Sequence, residues 1–324
     1  MSTNGAEIYY KAAHMAAELG FADFGCARTG VLPAIRQEQY MEALQKGHFA
    51  SMEYLARNID KRFNPSLLVE DARSILVFLA PYSLPAGSSA PKGIAQFALG
   101  KDYHLVIKEK LFSIMKMLKE MVPDFQGRAF TDSAPVMERY WAVEAGLGWI
   151  GKNNFLISRQ CGIKNLIGVI ICNLEIPATA DLLPDKFRQT KGLCGECTRC
   201  LDACPSGALK HPFCTDARKC ISYHTIENKS LTGDMAAGAV PDFAGALFGC
   251  DRCLDACPWN STNKEGWEVF HKNAEFLREK GNDWWRSLTK EEFKKIFKDT
   301  SLLRGGVDNI KASLEWGKKG GQNG

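Results

Sequence analysis

The 324-residue sequence lacks several things, and each lack removes a class of answer. It has no long apolar run. Its most hydrophobic stretches, "SILVFLAPY" and "NLIGVIICNLEI", fall well short of the roughly 20 residues a bilayer-spanning helix needs. It has no secretory start: "MSTNGAEIYYKAAHMAAELG" carries neither the basic opening and apolar stretch of a signal peptide nor a twin arginine. A soluble cytoplasmic protein without membrane contact is therefore expected. It has no large excess of one charge, with 41 Lys and Arg against 37 Asp and Glu. A net charge of +4 permits a nucleic-acid partner without demanding one. No internal repeat is visible beyond two cysteine runs.

A Rossmann dinucleotide unit is also missing, although "AGLGWIGKNN" (145–154) has the letters G-x-G-x-x-G at Gly146, Gly148 and Gly151. Such a loop follows a strand, opens a helix, and has an acid about 20 residues further on. Here the glycines follow a helical stretch, "APVMERYWAVEAG", and precede a strand-like one, "NNFLIS". The first acid beyond them is Glu175. The glycines are expected to cap a helix and to let the backbone approach something large.

Cysteine is what the sequence has in quantity. Twelve of them in a reducing compartment read as metal ligands rather than disulfides. "CGECTRCLDACP" sets Cys194, Cys197, Cys200 and Cys204 at the C-x2-C-x2-C-x3-C-P spacing of bacterial ferredoxins, whose fourth cysteine ligates the other cluster of a pair. "CDRCLDACP" repeats the run as Cys250, Cys253 and Cys257, one cysteine short. Crossing the ligands assigns Cys194, Cys197, Cys200 and Cys257 to one 4Fe–4S cluster. Cys204, Cys250 and Cys253 then serve a second cluster that needs one more ligand, with Cys220 and Cys214 nearest. Zinc is the poorer reading, because a zinc site closes on four ligands and has no need of paired C-P endings. Cys26, Cys161 and Cys172 lie in apolar surroundings and read as buried thiols.

The remainder patterns as a mixed helix–strand protein. Helical spacing covers "IYYKAAHMAAELGF", with Ile8, Ala12, Met15, Ala16 and Leu19 on one face, then "LPAIRQEQYMEALQKG" and "ASMEYLARN". It returns in a long stretch from 104, where Ile107, Leu111, Ile114, Met115, Leu118 and Met121 recur at core spacing. "DFGCARTG", "ARSILVFLAPYS", "GRAFTDS" and "LIGVIICNLEI" read as strands. "APVMERYWAVEAG" reads as a helix with Pro135 early in it. "PATADLLPDKFRQTKG" reads as a linker and "GKKGGQNG" as a disordered tail. Three parts follow: an α+β or α/β domain over 1–185, a two-cluster ferredoxin domain over 186–262, and a short helical C-terminal region over 263–324. Within the last, residues 286–319 carry nine Lys and Arg against five acids, which suits contact with phosphates. Clusters move single electrons and do not choose a substrate, so the domain before them should hold a further redox centre.

At this point the sequence resembles the epoxyqueuosine reductases of tRNA modification. "GKDYH" (100–104), "TDSAPVMERYWAVEAGLGWIGKN" (131–153), "CGECTRCLDACPSGAL" (194–209), "DARKCISYHTIE" (216–227) and "FGCDRCLDACPWN" (248–260) carry the resemblance, in that order. It implies a cobalamin-binding domain coupled to the ferredoxin domain. The implied reaction reduces the epoxide of epoxyqueuosine to queuosine at the wobble position of tRNA, by cob(I)alamin fed through two 4Fe–4S clusters. The implied partners are the anticodon stem-loop and a low-potential donor such as a flavodoxin or ferredoxin.

Residue by residue, the resemblance implies Asp132 as proton donor and cobalamin contact. Arg62, Lys152, Asn153, Ser158, Ser222 and Asp251 are implied as further cobalamin contacts. Cys220 becomes the missing cluster ligand, Cys214 is left over, and the glycine loop gains the corrin ring as its large partner. The chain departs from the pattern in carrying no helical-repeat extension, and in having Asp308-Asn309 where a basic "R-N" is usual. Two other activities share some of these parts. Reductive dehalogenases are typically exported with the twin-arginine signal that this N-terminus lacks. A pure electron-transfer protein would have no use for Asp132, Arg62 and the glycine loop.

Overall fold

A computed structural model describes residues 4–188 and 192–320. Its strands are β1 (Asp23–Arg28), β2 (Ser74–Pro81), β3 (Gly127–Phe130), β4 (Trp149–Ile150), β5 (Leu156–Ile157) and β6 (Asn165–Cys172). Four of them form a sheet in the order β1-β2-β6-β3, and every pair is antiparallel. Of the two sheet classes expected, the α+β one is realised.

All eight residues of β2 are buried because both faces of the sheet are covered. Leu76, Phe78, Ala80, Ile170 and Cys172 share one core with the helices Gly5–Glu18 and Tyr103–Met121. Ile75, Val77, Leu79, Val169 and Ile171 share the other with Trp141 and Ala142 of the helix Glu138–Glu144. The two-residue period of a strand divides one apolar run between two cores. In the long helix Tyr103–Met121, Ile107, Leu111, Ile114 and Leu118 make the buried stripe, and the Asp102 side chain caps the start.

Four expectations change. The helix read over "APVMERYWAVEAG" begins only at Glu138, and Pro135 lies outside it. Asp132, at φ 49°, and Met137, at φ −84° and ψ 71°, hold the intervening chain out of helical geometry. "ASMEYLARN" forms only the 3₁₀ turn Glu53–Leu55. The left-handed backbone of Ala50 and Asn58 stops helix growth on either side.

The expected linker contains the helices Thr179–Leu182 and Pro184–Arg188. Buried Thr179 accepts the Cys26 N–H at 2.8 Å and so ties this segment to β1. Residues 189–191 of the segment lie outside the described residues, as do 321–324 of the expected tail. The first half of that tail continues the helix Gly306–Gly320.

The fourth change concerns the glycine loop. Gly146 adopts φ 75° just after Glu138–Glu144, as a helix-capping glycine should. A Cβ on Gly148, however, would lie 2.1 Å from the Ile157 carbonyl oxygen. The room Gly148 makes is filled by β5, so this glycine serves the β4–β5 hairpin.

The C-terminal region does not stand apart. Its helices Asn282–Ser287, Lys290–Ile296 and Gly306–Gly320 help bury Trp285, Phe293, Phe297, Leu302 and Ile310 against Ile94, Leu99, Ile226 and Phe248. Trp267 packs edge-on against Phe21 of the first core. Among the described residues no helix is long and apolar enough to cross a membrane.

Candidate redox and catalytic site

The cysteines of the two runs and Cys220 are free thiols, and they sort into two foursomes. Cys194, Cys197, Cys200 and Cys257 line one small cavity together with Lys152, Pro258 and Trp259. Burial raises the Cys257 thiol, and the sulfurs of Cys194, Cys200 and Cys197 raise it further. Cys253 is likewise raised by burial, then by Cys250, Cys220 and Cys204. The short helices Arg199–Asp202 and Arg252–Asp255, identical in sequence, present the two runs in matching fashion. Cys220 stands at the N-cap of the helix Ile221–Ile226, and burial raises its thiol. Cys214 belongs to neither group; its Sγ lies 3.5 Å from His48 Nδ1. Among the described residues no trio of His, Cys, Asp or Glu is gathered for a single metal ion. Two sets of four thiols, with the second run crossing to the first, fit two four-iron clusters.

Asp132 follows β3 and is exposed. The Tyr103 hydroxyl donates to its Oδ2 at 2.7 Å, and its own N–H donates to Glu138 Oε1 at 2.6 Å. Burial, then the charge of Asp132, pushes the Glu138 carboxyl up to about 8. The same two causes raise the Tyr103 hydroxyl, so it remains a donor. Arg304 forks onto Glu227 at 2.5 and 2.8 Å, with its guanidinium 5.9 Å from the Tyr54 ring centroid. Asp132 lies within electrostatic reach of both Arg304 and Tyr54. Burial, then Glu227, pushes Tyr54 up to about 12. Glu227 is the C-cap of the helix that begins beside Cys220. One short helix thus runs from a cluster thiol to the neighbourhood of the exposed carboxylate.

Arg62 is buried, and its Nη2 donates to the Tyr54 carbonyl at 3.3 Å. Among the described residues its Nε has no partner. A buried guanidinium N–H left unused is costly, and an amide or phosphate oxygen of cobalamin would satisfy it. That orphaned donor is the observation on which the fit of cobalamin rests. Asp251 accepts the Gln96 N–H at 2.7 Å, and burial pushes its carboxyl up to about 6. Ser222 is half-buried beside Cys220.

The other implied contacts have partners within the chain. Lys152 Nζ donates to the Gly195 carbonyl at 2.6 Å, within the first cysteine run. Asn153 Nδ2 donates to the Cys253 carbonyl at 3.1 Å. The buried Ser158 hydroxyl accepts the Gln160 N–H at 3.2 Å inside its own turn. The structure therefore gathers Arg62 and Asp132 around Tyr54, and brings Lys152 and Asn153 to the cysteines. Ser158 joins neither group. Sequence reasoning missed Tyr54, Tyr103, Glu138, Glu227 and Arg304. Tyr103 and Glu138 lay inside the segments "GKDYH" and "TDSAPVMER", whereas nothing in the letters singles out Tyr54 or Arg304.

A family model described as a 4Fe-4S double cluster binding domain matches residues 193–260, which sets the chain among two-cluster iron–sulfur proteins. A second, described as epoxyqueuosine reductase QueG, DUF1730, matches residues 62–133. An epoxyqueuosine reductase of Cyclobacterium marinum is 40% identical over 297 residues, covering 89% of this chain and 90% of the relative. One from Leadbetterella byssophila is 37% identical, covering 94% and 96%. The chain belongs to the epoxyqueuosine reductase family. Among solved structures, an epoxyqueuosine reductase with a tRNA-Tyr epoxyqueuosine-modified stem loop shares the fold at TM-score 0.81 and 23% identity, over 97% of this chain and 81% of that one. The Streptococcus thermophilus epoxyqueuosine reductase does so at TM-score 0.75 and 25% identity, over 95% and 80%.

Proposed function

We propose that this chain reduces the epoxide of epoxyqueuosine in tRNA to the alkene of queuosine. The observation that carries the reading is the short helix joining a cluster thiol, Cys220, to the group around an exposed carboxylate, Asp132, in a chain of this family. The net change consumes two electrons and two protons and releases the epoxide oxygen as water. Cys194, Cys197, Cys200 and Cys257 would hold one cluster, and Cys204, Cys220, Cys250 and Cys253 the other. Each delivers one electron at a time from a low-potential donor such as a flavodoxin or ferredoxin. Cobalamin, when bound, supplies the reductive chemistry at carbon.

The remaining work falls to side chains. Arg62 would bind a polar edge of the cobalamin, and Ser222 and Asp251, close neighbours of Cys220 and Cys250, would add contacts beside the second foursome. Asp132 delivers a proton to the oxygen that leaves, and Tyr103 aims its carboxyl by holding Oδ2. In this plan residues 1–185 bind cobalamin, 186–262 carry the clusters, and 263–324 brace both and face the anticodon stem-loop. A tRNA substrate sets the reaction in the cytoplasm.

The test is anaerobic incubation of the loaded protein with epoxyqueuosine-containing tRNA and reductant, followed by mass spectrometry of the nucleosides. Queuosine is expected. Unchanged epoxyqueuosine, with clusters and cobalamin both shown to be present, overturns the reading.

A further inference from the structure

The long helix Tyr103–Met121 has a face that the core does not use. Lys108, Phe112 and Met115 follow one another at i, i+4 and i+7 and line an open cleft of about 310 Å³. β3 contributes to the lining through Arg128 and Phe130, and Ser133 lines it as well. Phe112 is 56% exposed, a large ring left in solvent while its neighbours Leu111 and Ile114 are fully buried. β3 is an edge strand, paired only with β6 among the described residues.

The cleft is cationic as well as aromatic. Arg128 donates to the Leu68 carbonyl at 3.2 Å and lies 5.2 Å from the Phe130 ring centroid, and no carboxylate pairs with it among the described residues. Lys108 lies within electrostatic reach of Glu138, whose carboxyl burial keeps protonated near neutrality. The position matters too. Ser133 adjoins Asp132, and Lys108 is five residues beyond Tyr103, about 7.5 Å along the helix axis. Phe112 is about 6 Å further. A nucleic-acid strand advances about 3.4 Å per stacked nucleotide, and more when splayed. The cleft therefore begins one or two nucleotides from the carboxylate.

We propose that this cleft is the subsite for a nucleotide adjoining the reacting one, its base stacked on Phe112 and its phosphate held between Lys108 and Arg128. Single-stranded loops are recognised in this way, by aromatic platforms flanked by cations. A free anion would have no use for the exposed ring and for Met115. The inference rests on the epoxyqueuosine reductase reading and adds to it where the strand lies.

The test measures binding of an unmodified anticodon stem-loop by fluorescence anisotropy across salt concentrations, which needs no turnover, and steady-state kinetics on the epoxyqueuosine form. Lys108→Ala and Arg128→Gln should each raise Kd and KM about 5- to 10-fold, more than they change kcat. Each should also lower the slope of log Kd against log salt by about 0.7–0.9. Phe112→Ala should weaken binding about 5- to 100-fold without altering that slope, and Phe112→Trp should restore it. Lys116→Ala, exposed one turn beyond Phe112 but not lining the cleft, is the control for general charge. The proposal is overturned by a Phe112→Ala affinity within twofold of wild type. It is equally overturned by unchanged salt slopes in the two cation variants, or by an equal slope loss in Lys116→Ala. Failure of the wild-type protein to convert epoxyqueuosine would instead count against the parent reading, and the binding measurements would stand apart from it.

Discussion

Asp132 combines an exposed carboxylate with a backbone at φ 49°, a conformation that costs an ordinary residue about 1–2 kcal/mol. Two hydrogen bonds hold it there, one on the side chain from Tyr103 and one from the backbone to Glu138. Asp132→Asn keeps the shape and the Tyr103 contact but has no proton to give. It should retain both clusters and bind tRNA, yet lose turnover by roughly 10²–10⁴-fold. Near-normal turnover in that variant would make Asp132 a structural residue.

Glu138 supports a separate prediction. Its folded-state carboxyl sits at about 8 against an ordinary value of 4.5, so between those limits the folded chain holds a proton that the unfolded chain releases. Stability contributed by this residue is therefore lost as pH rises through that window. Glu138→Gln keeps an acceptor for the Asp132 amide and removes the titration. Its unfolding midpoint should fall less than that of the wild type between pH 5.5 and 8.5. Parallel curves for the two proteins would show that Glu138 is not shifted.

At the scale of elements, the crossing of the cysteine runs makes a sharp distinction. Cys257→Ala should lower iron and disturb the cluster of the first run, although it lies in the second. Cys214→Ala, whose sulfur faces His48, should leave about eight irons per chain. Full iron in the first variant, or loss in the second, would overturn the foursomes. The C-terminal helices make a stability prediction. Phe297 is fully buried between Trp285 and Phe293, so Phe297→Ala should cost about 3–5 kcal/mol in denaturant unfolding.

The strands and the long helices were legible because each carries its own period. "ARSILVFLAPYS" can be read as a buried strand without knowing what covers it, and Ile107 through Leu118 declare one face. Segments held by distant partners were not legible. Thr179 looks like part of a linker until the Cys26 amide is found on it. Pro135 looks like a helix start until the turn at Asp132 is seen. The candidate site divides the same way. The cysteine spacing is local and announces itself, whereas Tyr54, Glu227 and Arg304 are 77 or more residues apart in the pairs that meet. No window of sequence contains that meeting.

On the scale of the whole molecule, many of the basic side chains at the C-terminal end are already engaged. Lys290 pairs with Asp308, Arg286 with Asp283 and Glu315, and Arg304 with Glu227. Lys294, Lys295 and Lys298 are exposed on and just after the helix Lys290–Ile296. Replacing all three with alanine should weaken tRNA binding and lower its salt slope by about 2–3. An unchanged slope would return this stretch to a solvated helix face.

On the proposed ligand assignment, the interleaving of the two foursomes also dictates an order of events during synthesis. Neither set is complete when Cys204 leaves the ribosome, for one waits on Cys253 and the other on Cys257. At roughly 5–20 residues per second, the last ligand trails Cys200 by roughly 3–11 s. The strand β6 ends at Cys172, so every strand of the central sheet has by then been made. Iron and sulfide must therefore be inserted into a nearly finished chain whose first domain already has all its strands. The still unligated thiols of the first run are at their most vulnerable to oxidation in that interval.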